Sequence, residues 1–246
     1  DYNGVMAFTE QLLSTVVDQL QRGTELQTLL AAGALANART FGGEDYVGFH
    51  TMMALSPAWR MSAELPSGQE PLSVFKVLYR NTARIQEFGG RAREVLRPVQ
   101  PAAPPEGRPE GEVLREAVRR KDADAAERTL AGLARTSPAE AFNHLLHEVQ
   151  DNTEVHRVAL PWRAWDLLDV VGQEHAHTLL RQSLRYCLKS EAYPRSAKGD
   201  EPRTVLPKVF DEHKLAGRAP GTRVVDDAWV DQMSLTILKS SPAQAA

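Results

Sequence analysis

Two stretches decide the fold: NARTFGGEDYVGFHTMMALSPAW at 37–59 and NHLLHEVQDNTEVHRVALPWRAW at 143–165. Laid over one another they match at Asn37/Asn143, Asp45/Asp151, His50/His156, Ala58/Ala164 and Trp59/Trp165, each pair 106 residues apart. The common pattern is Asn-x7-Asp-x4-His-x8-Trp. The chain has only four tryptophans and seven histidines, so a joint register of both types outweighs an alanine match. Apolar character is also kept at Leu20/Ala126, Met52/Val158, Met53/Ala159 and Met61/Leu167. A fixed internal offset is the signature of duplicated architecture.

The residues around both stretches are helical in pattern. Val5, Phe8, Leu12, Val16, Val17 and Leu20 recur at three-and-four spacing, one apolar face of a helix over 5–21. Thr24 and Gln27 have the capping-box spacing for a second helix through Leu35, broken by Phe41-Gly42-Gly43. A third helix is expected over 44–64, with Pro57 inside it, and a fourth from Pro71 through Ile85. Residues 97–110 hold five prolines and read as a linker. Helices resume at 111–120 and 123–135. Ser137-Pro138-Ala139-Glu140 caps another, and two more cover 153–171 and 173–190. The stretch 192–224 reads as extended loop, 226–238 as a last helix, and 240–246 as a tail.

The expected fold is therefore all-α: two tandem helical units of about four helices, related by duplication and packed as one bundle or short solenoid. The domains so read are 1–96, a linker at 97–110, 111–191, and a loop-rich C-terminal segment at 192–246.

Composition removes several function classes. Apolar residues are 42% and charged residues 25%, and 29 basic against 32 acidic residues leave a net charge of −3. No basic stripe marks a nucleic-acid binder; Arg91, Arg93 and Arg97 are interrupted by Glu94. The lone cysteine, Cys187, excludes an internal disulfide and any CxxC motif, and its apolar neighbours make it a small buried hydrophobe. No apolar run reaches a membrane span and no basic start precedes an apolar stretch, so a cytoplasmic protein is expected. HExxH, P-loop, GxGxxG and GxSxG motifs are absent.

The repeat carries the functional expectation. At 3.6 residues per turn the Asp-to-His and His-to-Trp steps are roughly 140° and 180°, so the three do not share a face. Asp45 and Asp151 suit helix caps, and Trp59 and Trp165 suit the core. His50 and His156 lie in apolar surroundings, and a pseudo-two-fold packing would bring the two imidazoles together. Such a pair holds a transition metal, iron above all, or serves a haem as axial ligands, in a redox protein acting on a small molecule. His144 and His147 share a helix face and are further metal candidates. His177 joins them through Glu174-His175-Ala176-His177, the chain's one Glu-x-x-His. His213 sits among charges and reads as solvated. A different class is a non-catalytic helical-repeat scaffold binding a protein partner between its units; a third is one subunit of a larger assembly, docking through 192–246. Asn143-His144-Leu145-Leu146-His147 and the His156 helix, about a fifth of the chain, resemble questin-oxidase-like proteins. That resemblance implies a helical fold and oxygenation of aromatic polyketides with little cofactor, and no site residue is carried over from it.

Overall fold

The structure, a computed structural model, describes residues 14–88, 90–103, 105–152, 154–193, 201–215, 218–219, 221–241 and 244. Helix is the only regular structure among them. Residues 14–21 are helical, and the part of the first expected helix before 14 lies outside the described residues, as does most of the tail. Then come α1 (Leu26–Phe41), α2 (Tyr46–Ser62), α3 (Pro71–Phe88) and a 3-10 turn at Gly90–Arg93. After the proline-rich stretch follow α4 (Glu110–Arg119), α5 (Ala123–Thr136), α6 (Pro138–Val149), α7 (Val155–Asp166) and α8 (Leu168–Val171). A 3-10 turn at Gln173–His175 leads into α9 (Ala176–Ser190), and α10 (Glu201–Glu212) and α11 (Asp227–Lys239) complete the order. No described helix is long and apolar enough to cross a membrane.

The described residues from 14 to 193 form one compact unit. At its centre runs α9, which packs against α1, α4, α5, α6 and α7. Leu179, Leu180, Leu184 and Cys187 are fully buried along it, and even its polar Gln182 and Ser183 are inaccessible. Its other face carries Arg181 and Arg185, which sit in the packed unit because both donate to the Glu127 carboxylate. The turn after α1 approaches α9 so closely that a Cβ on Gly43 would lie 2.2 Å from the Gln182 carbonyl oxygen. Glycine is required there.

Residues 94–109 are irregular, yet they do not hang free between two bodies. Val95 N–H donates to the Arg39 carbonyl and Ala102 N–H to the Arg128 carbonyl, while Arg181 donates to the Arg97 carbonyl. The segment is a strap across α1, α5 and α9, and Gly132 lets it lie flat, since a Cβ there would meet the Ala102 oxygen.

Helices α2 and α7, which carry the two copies of the pattern, lie side by side and parallel. His50 meets His156 near one end and Arg60 pairs with Asp166 near the other, positions 106 apart in both cases. The ten-residue interval is about 15 Å of helix on each side. Equivalence is not complete along the pattern. Ala58 and Ala164 are both buried and the two tryptophans both half-buried, with Trp165 stacked on Phe142 at 4.8 Å. Asn37, by contrast, is buried and donates to the Gly48 carbonyl and Asn81 Oδ1, tying α1, α2 and α3 together, whereas Asn143 is exposed.

Several local expectations are corrected. Thr24 and Gln27 form no capping box: the Gln27 amide reaches across to the Val170 carbonyl, and Thr24 bonds Gln19. The expected 153–171 helix breaks at Leu167. Asp45 caps α2, accepting from Gly48 N–H at 2.7 Å, whereas Arg119 grips the Asp151 carboxylate twice at 2.6 Å and the cap of α7 is Glu154.

Residues 197–246 form the second unit. Residues 192–224 are not all extended, for α10 occupies 201–212 with Pro207 inside it. The last helix is α11, capped by Asp226 accepting from Trp229 N–H at 2.9 Å. His213 is exposed, as its charged setting implied.

Candidate functional site

The two repeated histidines come together. His50 Nε2 and His156 Nε2 are 3.2 Å apart, with ring centroids 4.9 Å apart and nearly perpendicular. They meet in different helix registers: His50 is the fifth residue of α2, His156 the second of α7.

The other ring nitrogens fix the chemistry of the contact. His50 Nδ1 lies 2.7 Å from the Tyr46 carbonyl oxygen, which only accepts, so Nδ1 carries a proton. His156 Nδ1 is bonded to the Glu154 carboxylate. Burial by itself would raise the Glu154 carboxyl. The backbone N–H of His156, the Tyr186 hydroxyl, the His156 ring and the Arg157 N–H outweigh it and hold Glu154 below the usual carboxylate range. Glu154 is thus the ionised acceptor and His156 Nδ1 the donor. Both Nε2 lone pairs then point into the same gap, an arrangement that is repulsive unless a proton or another cation lies between them.

An aromatic shell surrounds the pair. Phe49 sits 4.8 Å from the His50 ring and 5.0 Å from the His156 ring, and Tyr46, 68% exposed, covers His50 at 4.4 Å. Tyr186 donates to Glu154 at 3.0 Å, and its own hydroxyl is held in the protonated form by burial and by that carboxylate. His156 opens onto a cavity of about 340 Å³ that Tyr46, Phe49, Tyr186, Lys189 and Tyr193 also line. Lys189 Nζ donates to the Glu44 carbonyl at 2.7 Å, leaving an ammonium group at this rim.

The remaining metal candidates do not join the pair. His144 lies 3.0 Å from Glu110 and His147 3.2 Å from Glu112, both turned toward α4. His177 begins α9, nine residues or about 13 Å along that helix from Tyr186. Glu174 stands in the 3-10 turn before α9, so Glu-x-x-His is not on one α-helical face. Among the described residues no three His, Cys, Asp or Glu side chains cluster to hold a metal ion. Haem does not fit the pair as it stands: two axial nitrogens at about 2.0–2.1 Å on opposite sides of a metal would be about 4 Å apart.

Sequence reasoning missed Glu154, Tyr186 and Lys189. The signal for Glu154 was present as a carboxylate two residues before His156 at a helix start, but the aspartate of the pattern drew the capping role.

Beneath the pair lies a buried ionic group. Arg157 donates to Ser190 Oγ, the Glu191 carboxylate and the Glu148 carbonyl. Glu148 is fully buried with the Cys187 thiol near its carboxyl, and burial pushes that carboxyl well above the usual range. Raised in this way, the carboxyl keeps its proton to higher pH in the folded chain than in the unfolded one, so stability falls as pH rises past about 4.3, where the unfolded residue ionises. Glu148→Gln should therefore raise the urea midpoint at pH 8, change it little at pH 4, and flatten the decline between. A wild-type midpoint that climbs over that range while the variant's falls would contradict this. Cys187 is buried nearby as expected, with burial raising its thiol far from reactivity.

No family model matches this chain, and neither the curated proteins nor the solved structures yield a match to it.

Proposed function

We propose that His50, His156 and Glu154 form the acid–base centre of an enzyme acting on a small molecule in the 340 Å³ cavity. The observation that carries this reading is the convergence of two imidazole Nε2 atoms whose Nδ1 positions are both committed to acceptors. Glu154 orients His156 and compensates its charge, His156 takes or delivers a proton at Nε2, and His50 shares that proton across the 3.2 Å gap. A substrate enters the relay by replacing the His50–His156 contact, as catalytic hydrogen bonds commonly re-form around bound substrate. The aromatic walls suit a flat apolar body, and Lys189 suits a negative group on it.

The test uses p-nitrophenyl acetate as a generic probe of a histidine base that activates water. The wild-type chain should hydrolyse it faster than free imidazole at equal concentration, and His156→Ala should lose about a hundredfold or more of that excess, the ordinary contribution of a positioned base. Equal rates for wild type, His50→Ala and His156→Ala would sink the reading.

A second reading keeps the metal. Two imidazoles at about 2.0–2.1 Å from one ion, in a bent arrangement, are separated by about 3 Å, and ligating histidines donate their other N–H to a carbonyl or carboxylate, as both do here. His50 and His156 would supply two ligands, leaving the other positions to water and substrate. Calorimetric titration with Zn²⁺ separates the readings: one equivalent bound by wild type and none by His50→Ala/His156→Ala supports the metal, and no binding by either leaves the proton relay.

A further inference from the structure

A second and larger cavity, about 930 Å³, lies away from the histidine pair, between α1, the strap and the first turn of α9. Its walls divide by chemistry. Leu35, Ile85, Leu96 and Val99 supply apolar surface, while Arg39 and Arg97 bring guanidinium groups that make no ion pair with any described residue. Arg181 also lines it but is committed to Glu127 and the Arg97 carbonyl, and Glu94 contributes one opposing charge. His177, again at the wall, has an Nε2 atom that is inaccessible to bulk water and has no hydrogen-bond partner. Burial and the neighbouring Arg181 hold this imidazole below its usual range.

We propose that this cavity binds an amphipathic organic anion, its charged group between Arg39 and Arg97 and its apolar body against Leu35, Ile85 and Leu96. An apolar pocket with a few convergent polar groups is the common form of a small-molecule site. This site is independent of the reading given to His50 and His156.

The full chain is titrated with 8-anilinonaphthalene-1-sulfonate, followed by fluorescence and by calorimetry for stoichiometry. N-phenyl-1-naphthylamine, the same rings without the sulfonate, is the neutral comparison. One equivalent of the anion should bind to wild type. Arg39→Gln/Arg97→Gln should weaken it about tenfold or more through loss of two charge-assisted contacts, while barely changing the neutral dye. Ala36→Trp, which fills the cavity from an exposed position, should weaken both. Unaltered circular dichroism and melting temperature show that these variants fold. Anion binding that is the same in wild type and both variants places the dye elsewhere and overturns the proposal. So does a neutral dye that binds wild type as tightly as the anion.

Discussion

Arg157→Met lowers the stability of the chain by about 3–5 kcal/mol, the range found when one partner of a buried ion pair is removed. Arg157 is 1% exposed and, among the described residues, is the largest side chain buried so completely. Its guanidinium holds the Glu191 carboxylate at 2.9 Å and Ser190 Oγ at 3.0 Å, with the Glu148 carbonyl on its other nitrogen. Methionine fills much of the volume but removes the guanidinium from the Glu191 carboxylate, Ser190 Oγ and the Glu148 carbonyl at once, and desolvation of the polar groups it served dominates the cost. Arg157→Met/Glu191→Gln should regain a large part of the loss, because an uncharged amide is easier to bury. Urea unfolding with comparable m-values checks both. A single-variant loss under about 1 kcal/mol would mean that water or a shifted neighbour already serves Glu191. The consequence reaches the site, since Arg157 follows His156 in the first turn of α7 and anchors that turn to the end of α9, where Tyr186 stands.

The sequence made the helical class and the meeting of His50 with His156 legible for one reason. Both are consequences of periodicity, and periodicity in apolar and rare residues survives in one chain read alone. The two histidines meet because α2 and α7 pack parallel, so positions 106 apart sit at equal height. Equal spacing in sequence did not guarantee an equal place in the helix. The chain after α6 makes one more turn, with Arg119 pulling the Asp151 carboxylate into the interior, and α7 begins only after Glu154. A cross-chain ion pair of that kind has no local signature at Asp151.

The same limit explains the other departures. His144 and His147 share a face, as i and i+3 residues must, but that face points to the glutamates of α4, and nothing within α6 reveals its neighbour. Helix α10 was hidden because Pro207 and the surrounding Pro, Gly and Lys residues mimic loop composition, although proline inside a helix removes only one internal bond. The strap at 94–109 was legible as non-helical; that it binds α1, α5 and α9 through backbone groups was not, because backbone hydrogen bonding leaves almost no trace in side-chain pattern.

Glu154→Gln should abolish the histidine-dependent hydrolysis by about a hundredfold or more while costing under about 1 kcal/mol of stability. The amide is isosteric and its oxygen can still accept from the backbone N–H groups of His156 and Arg157, so the start of α7 survives. Its NH₂, however, faces His156 Nδ1, where the carboxylate accepted a proton. The imidazole must then present a lone pair at Nδ1 and carry its proton at Nε2. In that tautomer Nε2 donates permanently to His50 and is no longer a base, and the shared proton is gone. Nitrogen-15 spectra of the histidine rings report the change directly: His156 Nδ1 is protonated in the wild type and unprotonated in Glu154→Gln, a shift that a loosened helix end would not produce. Glu154→Ala is the contrasting variant, losing about 1–2 kcal/mol as the cap disappears. The pH dependence gives a further check. Glu154 is held below its ordinary range, so its stabilising contribution is complete above about 4.3 and disappears as pH falls through the lowered folded value. Wild type and Glu154→Gln should therefore converge in stability in acid. Full activity in Glu154→Gln would remove Glu154 from the relay and leave His50 and His156 as a pair without an orienting charge.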